Sequence, residues 1–255
     1  SGGTLGVNSG YFTVKGTAFR NLTTNAEYAF MDEAIKAASD GDTIEVFGDS
    51  QLAVSIYYAD TDKNLTIKSN DPDKQYKVSL LGKPDLNHWF NIRNSRTMTF
   101  EGLEFDGLGN YFIFDWNGSA TLEFKNCSIH DIDNRTYSSA KYPPFNLSGG
   151  AKLNYDNSLI THLYGGSDSG AAVIATKDTS IVDITNTTIT ECGTYTDGFV
   201  YTGPIMIFGG TLNFNSGSFT NNGGGAGVIY AVASDAGTNS TININDGTFT
   251  GNKSG

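Results

Sequence analysis

A short phrase, apolar-x-apolar with a third apolar residue five positions on, occurs six times in this chain. It reads Met98/Phe100/Phe105, Leu122/Phe124/Ile129, Leu153/Tyr155/Ile160, Val182/Ile184/Ile189, Leu212/Phe214/Phe219 and Ile242/Ile244/Phe249. The copies begin 24, 31, 29, 30 and 30 residues apart, the spacing of one supersecondary unit stacked repeatedly. A chain of this kind is a solenoid. Each unit buries its apolar face only against its neighbours, so function is expected on a side wall or in the loops.

Positions zero and plus two point to the same face of a strand, and plus seven follows a bend and opens another wall. A later apolar pair, seen at Phe112/Phe114, Phe145/Leu147, Ile205/Ile207 and Val228/Tyr230, supplies a third. Three short strands per turn fit an all-β fold, the right-handed parallel β-helix, with rungs about 4.8 Å apart. Plus four reads Gly102, Asn126, Asn157, Asn186, Ser216 and Asp246, and small polar groups stacked in this way hydrogen-bond along the axis. Alternation alone also permits a sandwich. A leucine-rich repeat has a similar period, but its Leu and fixed Asn pattern is missing.

Ahead of the repeats, Thr24-Asn25-Ala26-Glu27 has the form of a capping box. Met31, Ala34, Ile35 and Ala38 follow at helical spacing before Asp40-Gly41, which predicts a helix over 26–39. Laid across the open end of the solenoid, it covers apolar core and unpaired strand edges. Strands are predicted at Thr43–Val46, Leu65–Ile67 and Val78–Leu80. The expected organisation is a single β-helix domain over 1–255, with a cap over about 1–42 and coils over 43–255. Ser-Gly-Gly at the start and a stop in mid-unit suggest an excised piece of a longer protein.

The 255 residues include 31 Gly and only 5 Pro, with few charges, as stacked strands with tight turns require. Net charge is −11 and no Lys/Arg-rich stretch occurs, which argues against nucleic acid and anionic membranes as partners. No apolar run is long enough to cross a bilayer. Cys127 falls at plus five and Cys192 at plus ten, two units apart. A disulfide needs Cα atoms within about 7 Å, so both are expected as free, buried core residues.

The run from Tyr28-Ala29-Phe30-Met31 through Asp40-Gly41-Asp42-Thr43-Ile44-Glu45-Val46, followed by Lys63-Asn64-Leu65-Thr66-Ile67, resembles the opening of pectate-lyase-like β-helix domains in large secreted or wall-attached bacterial proteins. The last third is similar to repeats of polymorphic outer-membrane proteins and related adhesin-like proteins. It shares their Phe-x-x-Asn and Gly-Gly-Ala-Ile elements at Phe219–Asn222, Phe249–Asn252 and Gly224–Ile229. Ile129 and Ile160 replace the Phe in the middle units. The matches touch about a third of the chain and imply a surface-exposed, often adhesive β-helix, with no substrate or catalytic residue carried over.

Two groups of residues carry chemistry. Plus eight and plus nine bring together Asp106, His130, Asp131, His162 and Glu191, about 5 Å apart from unit to unit. Paired carboxylates with a base suit glycoside hydrolysis, and carboxylates alone suit Ca2+ for a lyase, although no specific Ca2+ motif is present. Strict alternation along a strand would separate plus eight from plus nine, and no Arg or Lys base stands beside the acids in sequence. No cofactor is expected. The second group lies in loops after plus ten: Arg135, Tyr137, Tyr142, Tyr164, Asp168, Tyr195, Asp197 and Tyr201. Aromatic rings there pack on sugars or peptides while carboxylates and amides take hydroxyls. Trp89 and Trp116, near His88 and Asp115, extend this face.

The sequence therefore reads as a monomeric, extracellular or cell-surface adhesin-like binding or display module that engages a glycan or surface protein through its loop face. The competing reading is a polysaccharide lyase or glycoside hydrolase with acids drawn from Asp106, Asp131 and Glu191.

Overall fold

Each phrase becomes two strands because its apolar and polar residues alternate. In Thr121–Lys125, Leu122 and Phe124 are buried while Thr121, Glu123 and Lys125 face out, the period of a half-buried strand. In the computed structural model, which describes residues 16–52, 54–57, 59–81, 89–92, 94–136, 142–165, 171, 173–193, 203–225, 227–235 and 237–254, these strands wind into a right-handed parallel β-helix with three walls.

The first wall stacks Thr43–Val46, Leu65–Ser69, Thr97–Glu101, Thr121–Lys125, Lys152–Asp156, Ile181–Thr185, Thr211–Phe214 and Thr241–Ile244 in parallel. Met98, Leu122, Leu153, Val182, Leu212 and Ile242 lie in one file. The second wall aligns Phe105, Ile129, Ile160, Ile189, Phe219 and Phe249. We number the six rungs from these files. Inside, Phe100 stacks on Phe124 and Phe124 on Tyr155, each at 5.4 Å between centroids. Each fully buried ring contributes about 1.5–3 kcal/mol through area removed from water. The Tyr155 hydroxyl is buried without a hydrogen-bond partner, and burial pushes its pKa well up.

Two corners use left-handed backbone. Plus four is left-handed at Gly102, Asn126, Asn157 and Asn186, and plus nine at Asp131, His162, Glu191, Asn221 and Gly251. Asn and Asp visit this region more easily than other side chains because they are short and bond locally. The plus-four ladder forms in pairs: Asn157 Nδ2 donates to Asn126 Oδ1, and Ser216 Oγ donates to Asn186 Oδ1 at 2.8 Å.

The third wall shifts two of the expected pairs. Phe114/Trp116 aligns with Phe145/Leu147, and Ile229/Ala231 with Ile205/Ile207. Thus Phe112 precedes its strand, and Tyr230 faces outward at 37% exposure. Leu108 also leaves its column, because the backbone bulges there and Ile132 pairs with Asn110 instead.

The helix is shorter than predicted, Met31–Ala37. Glu27–Tyr28 instead pairs antiparallel with Phe19–Asn21, which pairs in turn with Thr43–Val46. The Thr24–Glu27 run is the turn of that hairpin, with Asn25 left-handed, and Glu27 is held by Arg20 and Thr17 rather than capping a helix. Hairpin pairing captures the backbone the capping box would have used. Met31, Ala34, Ile35 and Ala38 are buried in the core as the spacing implies. Lys63 closes the helix, its Nζ donating to the carbonyls of Ile35 and Ala38 at 2.9 and 2.7 Å, where the helix dipole favours a cation. Cys127 and Cys192 are free and buried, and burial raises both thiols to about 12. No helix among the described residues is long and apolar enough to cross a membrane.

Candidate functional site

The plus-eight and plus-nine residues do converge, for a backbone reason. Left-handed φ at plus nine interrupts the in-out alternation, so both side chains emerge on the outer side of the second wall. Within one rung His130 Nδ1 lies 2.8 Å from Asp131 Oδ2, and Thr161 Oγ1 lies 3.1 Å from His162 Nδ1. Gly107 permits the close stacking, since a Cβ there would sit 2.4 Å from the Asp131 carbonyl oxygen.

Across rungs a continuous ridge forms. Lys77 Nζ stands 2.9 Å from both Glu104 Oε1 and Asp106 Oδ2. His130 Nε2 lies 3.1 Å from Glu104, and its Nδ1 3.9 Å from Asp106. His162 then bridges onward, 3.8 Å from Asp131 and 2.9 Å from Glu191. Asp106 and His130 are sheltered, at 9% and 18% exposure, whereas Asp131, His162 and Glu191 are about half exposed at 49%, 45% and 52%.

Burial alone would raise the Asp106 pKa; the Lys77 ammonium, the Leu108 amide and His130 outweigh it and hold the carboxyl below its ordinary value. Asp106 and Glu104 in turn raise Lys77. This end of the ridge is therefore a closed ion cluster. Glu104, Asp106 and His130 each offer a ligand atom within 4.8 Å of the others, a spacing that suits a metal. Lys77 already supplies the positive charge at that point, so the donor set is poorly suited to a divalent cation. Lys77 escaped the sequence reading because its strand, Tyr76–Leu80, precedes the first phrase, and Glu104, at plus six of that phrase, has no charged counterpart in the later ones, which read Ser128, Leu159, Thr188, Ser218 and Thr248. The pairing of Val78 with Phe105 is what sets Lys77 beside Glu104.

Three long connections, at 134–144, 165–173 and 191–204, leave from one corner, between the second and third walls; another, at 233–240, joins the third wall to the first. The corners between first and second walls take only one or two residues in rungs two to five. Arg135 stacks its guanidinium 3.9 Å from the Tyr164 ring centroid on the next rung, while its Nε and Nη2 donate to Asp133 at 2.9 and 2.7 Å. Asp133 raises the Arg135 pKa, and burial raises that of Tyr164. Buried Asn134 anchors the loop base, accepting from the Phe112 amide at 2.9 Å and donating to the Tyr142 carbonyl at 3.1 Å. Tyr142 is half-buried against Tyr111 and Ile113, so its ring packs the loop. Trp116 is 1% exposed, its indole N–H donating to the Lys152 carbonyl at 2.8 Å. It belongs to the core and does not extend the loop face. Tyr137, Asp168, Tyr195, Asp197 and Tyr201, with His88, lie outside the described residues, as does the Trp89 side chain.

The ridge and the stack adjoin: Asp131 and Asp133 lie on one strand, and His162 and Tyr164 on the next. The result is a strip of carboxylates, imidazoles, a guanidinium and a phenol that runs across the early rungs as far as Glu191. No protein-family model, curated protein or solved structure matches this chain. The fold itself defines the class, a parallel β-helix, here with three long loops at the corner between its second and third walls.

Proposed function

We propose that this chain is an adhesin-like binding or display module of an extracellular or cell-surface protein, of the pectate-lyase-like β-helix type, and that it engages a glycan through its loop-bearing corner. The observation that carries this reading is the adjacency of the Arg135–Tyr164 stack to the exposed Asp131, His162 and Glu191 on consecutive rungs. An aromatic face beside hydroxyl-binding groups suits a sugar. The rung spacing sets Asp131, His162 and Glu191 out for such a partner as a track three rungs long.

A lyase or glycoside hydrolase is less well supported. Asp106 is locked in an ion pair, and Asp131 and Glu191 are separated by a whole rung and joined through His162. The test is a glycan array together with a polysaccharide-degradation screen on the same protein. Tyr164→Ala with Arg135→Ala is expected to weaken glycan binding roughly tenfold or more, the scale of one lost cation–π and stacking contact, with no release of sugar ends by either protein. Turnover that disappears in Asp131→Asn or Glu191→Gln would instead establish the enzyme, and an array without hits would defeat the binding reading.

A further inference from the structure

Both fixed cations of the strip are already engaged by the protein. Lys77 Nζ lies 2.9 Å from Glu104 and from Asp106. Arg135 donates through Nε and Nη2 to Asp133 while its guanidinium rests on the Tyr164 ring. These two cations stand against five carboxylates, those of Glu104, Asp106, Asp131, Asp133 and Glu191, a formal charge of −3 with the imidazoles neutral.

The excess is unevenly placed. Asp106 and Asp133 sit against their cations with little exposure. Asp131 and Glu191 are half exposed and face imidazoles instead, Asp131 at 2.8 Å from His130 and 3.8 Å from His162, and Glu191 at 2.9 Å from His162. The uncompensated negative charge is therefore the part of the strip that meets solvent. The loop sequences do not reverse its sign, since beyond Arg135 and Glu191 the three connections contain Lys141 against Asp168 and Asp197, and the chain as a whole carries −11.

We propose, resting on the glycan reading above, that the strip selects a neutral glycan and rejects acidic ones. The ligand is a run of uncharged hexose units whose rings pass the Arg135–Tyr164 stack and whose hydroxyls donate to Asp131 and Glu191. Hydroxyls both donate and accept, which matches a carboxylate that accepts and a neutral imidazole that does either. A uronate on the same track brings a negative charge with every sugar and meets Asp131 and Glu191 like to like, the repulsive element that specificity requires.

The probes are tetrasaccharides of glucose, galactose and mannose, each paired with the uronate tetrasaccharide of the same linkage, titrated calorimetrically in 50 mM NaCl with EDTA to prevent bridging by metal ions. At least one neutral member is expected to bind, with its uronate partner about tenfold weaker or more. In 1 M NaCl, where the screening length falls to about 3 Å, the gap should close to about threefold or less. Asp131→Asn combined with Glu191→Gln should close it in the same way at 50 mM NaCl, with circular dichroism verifying the fold. A uronate that binds as tightly as its neutral partner overturns the proposal and leaves the glycan reading standing. So does a gap that survives 1 M NaCl, which would make the rejection steric, and so does failure of all six probes when other glycans on the array bind. An array without hits defeats the glycan reading itself, and this proposal with it.

Discussion

The second wall keeps one backbone from its early rungs to its late ones but dresses it in two chemistries. Around His130 the outward positions are ionic, with Lys77, Glu104, Asp106, Asp131, His162 and Glu191 linked rung to rung. Around Thr190 they are neutral: Thr220 Oγ1 donates to Thr190 Oγ1, Thr190 Oγ1 to the Thr220 carbonyl, and Thr188 lies 3.0 Å from Ser218. The first wall shows the same drift, from Lys125 against Glu123 to Asn243 on Asn213. A solenoid needs each outward column satisfied along the axis, and either ion pairs or hydroxyl and amide ladders do so. Only the ionic stretch can respond to pH and salt, and only it borders the Arg135–Tyr164 stack. The inward files, by contrast, are alike in both stretches.

The largest effect should ignore this contrast. Phe124→Ala and Phe214→Ala each remove a fully buried ring, and each is expected to cost about 3–5 kcal/mol in urea unfolding; a marked difference between them would show that early and late rungs are not equivalent. Lys77→Met comes next. It strands a nearly buried Asp106, and because the Lys77 side chain is 40% exposed the loss should be about 1–2 kcal/mol, well below that of a buried pair. Its pH signature has a definite sign. A carboxyl whose folded pKa is depressed contributes stability above its unfolded value and loses it as pH falls through the folded one. Stability should therefore drop below about pH 4, the ordinary Asp range, and Asp106→Asn should flatten that drop. The smallest change is Thr190→Val, at about 0.5–1 kcal/mol for one hydroxyl's hydrogen bonds, unaltered by 1 M salt. Sensitivity to pH or salt in Thr190→Val as strong as in Lys77→Met would erase the distinction between the two stretches.

Much of the architecture was legible because it repeats. One apolar column read six times averages out local accident, so the files, the corner at plus four and the reduced state of both cysteines followed from spacing alone. The errors fell where the repeat is interrupted. Thr24–Glu27 satisfies a local capping rule, yet the strand Phe19–Asn21, seven to nine residues upstream, takes its backbone as a hairpin partner. Leu108 and Phe112 sit where the first regular rung bulges, and the Val228/Tyr230 pair is displaced by one residue after a glycine-rich connection. In the candidate site, Asp106, His130, Asp131, His162 and Glu191 could be named from register. Lys77, Glu104 and Asp133 could not, since their roles depend on pairing across a rung that lacks the phrase or on a turn closing back on itself.

By itself, then, the sequence determined the kind of object this is: an axis, a rung height and an inward file, because alternation and period are properties of the covalent chain. Tertiary structure decided which outward groups meet. Whether plus eight and plus nine share a surface depends on a left-handed φ that stacking holds in place. Whether a carboxylate is a free acid or half of an ion pair depends on which lysine the neighbouring rung brings within 3 Å, as Lys77 does for Asp106.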